Sequence, residues 1–131
     1  MNIYLDFDGT IVEHDYPRIG KLNPNSLEII KKLQETGHTV ILNTMRIEFE
    51  DDSMQEALDF INRNETVSGI NISQKTDHKV FPKKWNLDKI ENDLYIDDIA
   101  PNIPLINATE VEGLMVDWVK IEKQLTEKGI L

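Results

Sequence analysis

The sequence predicts an α/β layer fold with a mainly parallel sheet. Two observations predict it. Short apolar runs at residues 3–5, 39–42 and 94–96 alternate with amphipathic stretches of helical period. Each run also ends in polar side chains: Asp6 and Asp8 after the first, Thr44 after the second, Asp97 and Asp98 after the third. Strands alternating with helices favour parallel pairing, because right-handed crossovers lay the helices on the faces of the sheet. In such sheets ligands bind beyond the carboxyl ends of the strands, where these polar groups would gather.

The elements follow in order. Ile3, Tyr4 and Leu5 read as a buried strand, and period-2 geometry sends Asp6 and Asp8 to the same side of its end. Gly9 then permits a sharp turn and a close approach of backbone to a ligand. Asn23-Pro24 is expected to begin the first helix, with Leu27, Ile30 and Leu33 as its apolar stripe and Gly37 as its end. The run from Thr39 to Leu42 is β-branched and apolar, hence a strand. Ser53-x-x-Glu56 is a capping-box pattern, and Met54, Ala57, Leu58 and Ile61 form the buried face of a second helix. Residues 69–72 read as a short strand, and 73–93 mostly as loop. Leu94-Tyr95-Ile96 is another strand, and Leu105-Ile106 a short final one. Thr109-x-x-Glu112 is expected to cap a last helix that packs Val111, Leu114, Met115, Trp118 and Leu125 on the sheet.

A chain of 131 residues is long enough to bury one core, and no linker, repeat or low-complexity tract divides it, so a single domain over 1–131 is expected. No apolar stretch approaches the roughly 18 residues a membrane span requires. The early acids Asp6, Asp8 and Glu13 are unlike a signal peptide, so a cytoplasmic location with no membrane partner is expected. With no cysteine there is neither a disulfide scaffold nor a thiolate site, and any metal must take oxygen or histidine ligands. A net charge of −10 argues against a protein that tracks a nucleic acid duplex, since phosphate contacts need a basic surface. A phosphorylated end could still enter a locally basic pocket.

The paired carboxylates point to phosphoryl chemistry. One Asp would serve a turn; two, spaced Asp-x-Asp and followed by Gly-Thr, are more than a turn needs. A phosphate monoester is a dianion, so a carboxylate can attack it only if a cation offsets the repulsion. Asp6, Asp97 and Asp98 supply the hard oxygen donors that Mg²⁺ prefers.

Asp6-Phe7-Asp8-Gly9-Thr10, an apolar strand ending in Thr44, a group of lysines and Leu94-Tyr95-Ile96-Asp97-Asp98 follow one another in an order that resembles the haloacid dehalogenase-like superfamily of aspartate-nucleophile phosphatases. The resemblance implies a three-layer, Rossmann-like fold. It implies that Asp6 is the nucleophile that becomes an aspartyl phosphate, and that Asp8 is the general acid/base and offers its backbone carbonyl to Mg²⁺. Thr44 would hold the transferring phosphoryl group, Asp97 would bind the metal directly, and Asp98 through water. Gly9, Thr10, Arg46 and Lys83 are expected to contribute to substrate binding; Arg46 could instead pair with Glu48 or Glu50.

The mechanism also wants one ammonium, and Lys75, Lys79, Lys83 and Lys84 are all candidates. Lys84 ranks first, because Phe81-Pro82-Lys83-Lys84 leads towards the fourth motif. Superfamily caps are inserted after the first strand or before the lysine motif. Both intervals are short here, so a capless protein is expected. An open site leaves room for a homo-oligomer or a phosphorylated macromolecular end as well as a phosphorylated small molecule. Transfer to an acceptor other than water, hydrolysis of a nucleotide or nucleic acid 3′-phosphate, and a non-catalytic receiver-like module are the rival readings. The receiver reading leaves Asp8 without a task.

Overall fold

The computed structural model describes residues 1–64 and 78–131. Strand β1 (Asn2–Leu5) lies between β2 (Thr39–Leu42) and β3 (Asp93–Ile96), and both pairings are parallel. Leu5 is in register with Leu42 on one side and Ile96 on the other. The ladder continues one residue further, through Asp6 N–H to the Ile96 carbonyl at 3.0 Å and Asn43 N–H to the Leu5 carbonyl at 2.7 Å. The three strands therefore stop level, and the side chains that follow them emerge side by side.

Helix α1 (Ser26–Glu35) buries Leu27, Ile30 and Leu33, the stripe its periodicity predicts, and Ile29 beside them. It starts two residues later than Asn23-Pro24 suggests. Asn23 is buried, and its amide donates to the carbonyls of Thr10 at 2.9 Å and Val116 at 2.8 Å instead of capping the helix. Helix α2 (Ser53–Arg63) buries Ala57 and Ile61 and rests Met54 and Leu58 against the core. Its first N–H is satisfied by the Asp51 carboxylate at 2.9 Å, so Ser53 is the first helical residue and not the cap. Phe60, on the same helix, meets Phe7 edge-on at 6.1 Å. The strand expected at 69–72 lies outside the described residues.

The carboxy-terminal third departs from expectation. Thr109-x-x-Glu112 opens no helix: residues 108–113 form the bend of an antiparallel hairpin between β4 (Leu105–Asn107) and β5 (Leu114–Val116). Gly113 sits at φ 111°, a conformation that breaks a helix and that other residues rarely adopt. The Thr109 backbone N–H and hydroxyl both bind the Glu13 carboxylate, so that threonine ties a loop down and caps nothing. Helix α3 (Trp118–Glu127) begins after Asp117, whose carboxylate accepts from Lys120 N–H at 3.2 Å, and it buries Trp118, Ile121 and Leu125.

This hairpin holds the loop after β1. Val116 N–H donates to the Gly9 carbonyl at 2.9 Å, and the Trp118 indole donates to the Thr10 carbonyl at 2.8 Å. One hydrophobic cluster runs from Ile3 to Leu125. Among the described residues no further folded unit is inserted after β1 or before β3, as a capless chain requires. No helix among them is long and apolar enough to cross a membrane.

Candidate active site

Level strand ends put Asp6 (after β1), Thr44 (after β2) and Asp97 (after β3) around one depression, with Asp6, Asp97 and Thr44 all nearly inaccessible to solvent. Asp6, Asp97 and Asp98 each present a carboxylate oxygen, and these atoms lie within 4.8 Å of one another. Burial, reinforced by the charge of Asp97, pushes the Asp6 carboxyl well above the usual carboxylate range, although Lys79 opposes the shift. Burial likewise lifts Asp98 to about 6. The cluster is short of positive charge, and its hard oxygen donors suit Mg²⁺.

Lys79 brings an ammonium to these carboxylates. Its Nζ lies 3.1 Å from Asp6 Oδ1 and 2.7 Å from Asp97 Oδ2, in a nearly buried position. Burial alone would lower its pKa, but the two carboxylates outweigh that and raise it. Lys84, the residue ranked first from the sequence, is exposed, as is Lys83, and the ion pairs to Asp6 and Asp97 are made by Lys79. The reason lies in the backbone on either side of Lys79. Its own N–H is held by the Glu48 carboxylate at 2.8 Å. The next residue, Val80, exchanges two 2.7 Å hydrogen bonds with the Asn43 side-chain amide: its N–H donates to Oδ1 and its carbonyl accepts from Nδ2. Asn43 and Glu48 flank the Thr44 strand end, so this segment is clamped beside β2 with Lys79 pointing inward. Residues 81–84 run on past the site. Lys75 lies outside the described residues.

Asp8 and Arg46 form a second unit. Arg46 is wholly buried, with Nε and Nη2 each 2.8 Å from a different oxygen of Asp8. Two further donors reach the carbonyls of Ser53 and Arg18, both at 3.1 Å. The guanidinium lies 5.1 Å from the ring centroids of both Phe7 and Tyr16, a cation–π arrangement on both. Four of its five N–H donors are engaged and the side chain has no solvent exposure, so it is committed to Asp8 and the surrounding backbone, and it pairs with neither Glu48 nor Glu50 as the sequence reading allowed. Arg46 instead fixes the carboxylate of Asp8.

Gly9 and Thr10 also stand elsewhere than a substrate contact would require. The Gly9 N–H is taken by the Val12 carbonyl at 2.8 Å, and a Cβ added to Gly9, at φ 80°, would lie 2.3 Å from Asp98 Oδ2. Gly9 is thus glycine so that Asp98 can close on the first motif. Thr10 is fully buried; its hydroxyl accepts from Asp98 N–H at 3.2 Å and faces Asp6 Oδ2 at 3.5 Å, joining the first and fourth motifs from beneath.

A pocket of about 170 Å³ opens over these groups, lined in part by Asp6, Asp8, Thr44 and Lys79. Asp97 and Asp98 do not line it. Thr44 Oγ1 accepts Arg46 N–H at 3.3 Å, which aligns the hydroxyl at the pocket floor. Sequence reasoning overlooked Asn43 and Glu48, and the signal for them was weak: a polar residue at a strand end, and a glutamate four residues after Thr44.

A parallel sheet with an Asp-x-Asp-Gly-Thr turn on its central strand, an aspartate pair on the next and a lysine between them defines a hydrolase class. The chain belongs to the haloacid dehalogenase-like hydrolase family, whose model matches residues 3–108. A solved structure of a conserved protein from Bacteroides thetaiotaomicron is similar to it, at 32% identity over 98% of this chain and 91% of that one, with a TM-score of 0.61. No protein of curated function matches the sequence.

Proposed function

We propose that this hydrolase is a Mg²⁺-dependent phosphatase that cleaves phosphate monoesters through an aspartyl phosphate on Asp6. The observation that carries the reading is the placement of Lys79 Nζ between Asp6 and Asp97. An ammonium held there lowers the repulsion between a carboxylate nucleophile and a phosphoryl dianion, and it is already oriented before substrate arrives. Asp6, Asp97 and Asp98, with the Asp8 carbonyl, would hold Mg²⁺, which when bound supplies the remaining charge neutralisation.

The chain's own groups divide the rest of the work. Asp6 attacks phosphorus, and the ester oxygen leaves with a proton from Asp8. Asp8 then takes a proton from the water that hydrolyses the aspartyl phosphate, restoring both residues. Arg46 orients Asp8 as an anion, and one of its two hydrogen bonds to Asp8 must open for that oxygen to carry the proton; the Thr44 hydroxyl and Lys79 hold the phosphoryl oxygens.

Phosphate release from an aryl phosphate tests this. Turnover is expected with Mg²⁺, loss with EDTA, and loss of at least about 10³-fold in Asp6→Asn. Undiminished turnover by Asp6→Asn would refute the nucleophile assignment.

A further inference from the structure

We propose that the leaving group accepted by this site is a single apolar ring, so that the substrate is the phosphate monoester of a small ring-bearing alcohol or phenol. The inference rests on the phosphatase reading above. It starts from what surrounds the phosphoryl-binding floor. Besides the charged groups and Thr44, the pocket is lined by Tyr16, Met45, Phe49 and Ile99, with His14 as one further polar residue. Met45, Phe49 and Ile99 leave 43%, 41% and 56% of their surface exposed, an apolar rim around an otherwise charged floor.

The wall is built before any ligand arrives. The rings of Tyr16 and Phe49 lie 5.2 Å apart at 30°. Tyr16 is held from behind by the Arg46 guanidinium at 5.1 Å and through its hydroxyl by Asp51 at 3.4 Å. Aromatic faces at this spacing offer an incoming ring an offset or edge contact.

Charge excludes the main alternatives. Among the described residues, the lining contains two cationic side chains, Arg46 and Lys79. Arg46 has no solvent exposure and gives four of its five donors to Asp8, Ser53 and Arg18, and Lys79 is shared by Asp6 and Asp97. A second phosphate group, as in a nucleoside diphosphate or a nucleic acid end, would find no counter-charge there, on a chain of net charge −10. A polyhydroxylated leaving group would lose water hydrogen bonds against Met45, Phe49 and Ile99 without replacement.

Size points the same way. An apolar cavity of about 150 Å³ takes up one benzene ring, and this open pocket of about 170 Å³ must seat a phosphoryl group with the ring emerging between the rim side chains.

The test compares kcat/KM for two esters of primary alcohols, 2-phenylethyl phosphate and 2-hydroxyethyl phosphate, whose leaving oxygens are chemically alike. The wild-type protein with Mg²⁺ is expected to prefer the phenylethyl ester by about 10–100-fold, the range an apolar pocket confers. Phe49→Ser and Ile99→Ser should bring that ratio towards one, whereas Ile106→Ser, an exposed apolar residue on β4, should leave it unchanged. Equal or better turnover of the hydroxyethyl ester overturns the ring proposal and leaves the phosphatase reading standing. Turnover of neither ester, together with none of acetyl phosphate, overturns both.

Discussion

Arg46→Met removes the cation that, among the described residues, pairs with Asp8, and keeps the length and apolar volume of the side chain. In the native protein both oxygens of Asp8 are met at 2.8 Å by a guanidinium with no solvent exposure, so the pair is a buried one. Removing one partner of such a pair typically costs about 3–5 kcal/mol, because the other charge stays buried without compensation. The carbonyls of Ser53 and Arg18 lose a charged donor as well. A domain of this size is stable by roughly 5–15 kcal/mol, so the variant should lose a large share of its stability, about 10–20 °C in Tm.

The double variant Asp8→Leu/Arg46→Met removes both charges. It should be less destabilised than the sum of the two single variants by more than about 1 kcal/mol, the signature of direct coupling. Urea unfolding in metal-free buffer, followed by tryptophan fluorescence, measures all four proteins. A cost below about 1 kcal/mol for Arg46→Met, or strict additivity in the cycle, would show that the clamp contributes nothing and that Asp8 is fixed by other means.

Three further outcomes are expected. Lys79→Met should lower kcat/KM for an aryl phosphate by about 10²–10³-fold, while Lys84→Met stays within about twofold; the reverse order would remove Lys79 from the mechanism. Asp98→Asn should become more stable than the wild-type protein as pH rises. The folded pKa of about 6 lies above the ordinary 3.8, so the stability that protonated Asp98 contributes is present below pH 4 and lost as pH passes 6. The gap by pH 7 in metal-free buffer is up to roughly 3 kcal/mol, Mg²⁺ should narrow it, and a gap that is the same at pH 4 and 7 would contradict the assignment. Glu13→Gln has the opposite sign. Burial works against the charge, but the donors of Thr109 and Glu110 outweigh it and lower the Glu13 pKa, so its contribution is present above pH 4.5 and lost as pH falls. A loss of roughly 1–2 kcal/mol at pH 7, shrinking below pH 4, is expected from thermal unfolding, because the donors are exposed; a cost independent of pH would mean the carboxylate charge plays no part.

The fold and the heart of the site were legible because their causes are local. An apolar run ending in Asp-x-Asp-Gly-Thr contains its own strand, its turn and its two carboxylates, and parallel pairing carries Asp97 and Thr44 to the same edge. Patterns whose partners are distant misled. The Thr109-x-x-Glu112 box looked like a helix start, but its threonine serves Glu13, 96 residues away in sequence, and Gly113 turns the chain into a hairpin.

By itself, then, the sequence determined the sheet, the order of the motifs and the carboxylates of the site, since strand period and turn chemistry act over a few residues. Only the tertiary structure decided which cation serves which carboxylate. Lys79 reaches Asp6 because Asn43 and Glu48, just beyond the end of β2, clamp the backbone of Lys79 and Val80, and Arg46 turns to Asp8 because burial leaves a guanidinium no stable choice but its nearest carboxylate. Among several like charges in one sequence, packing selects.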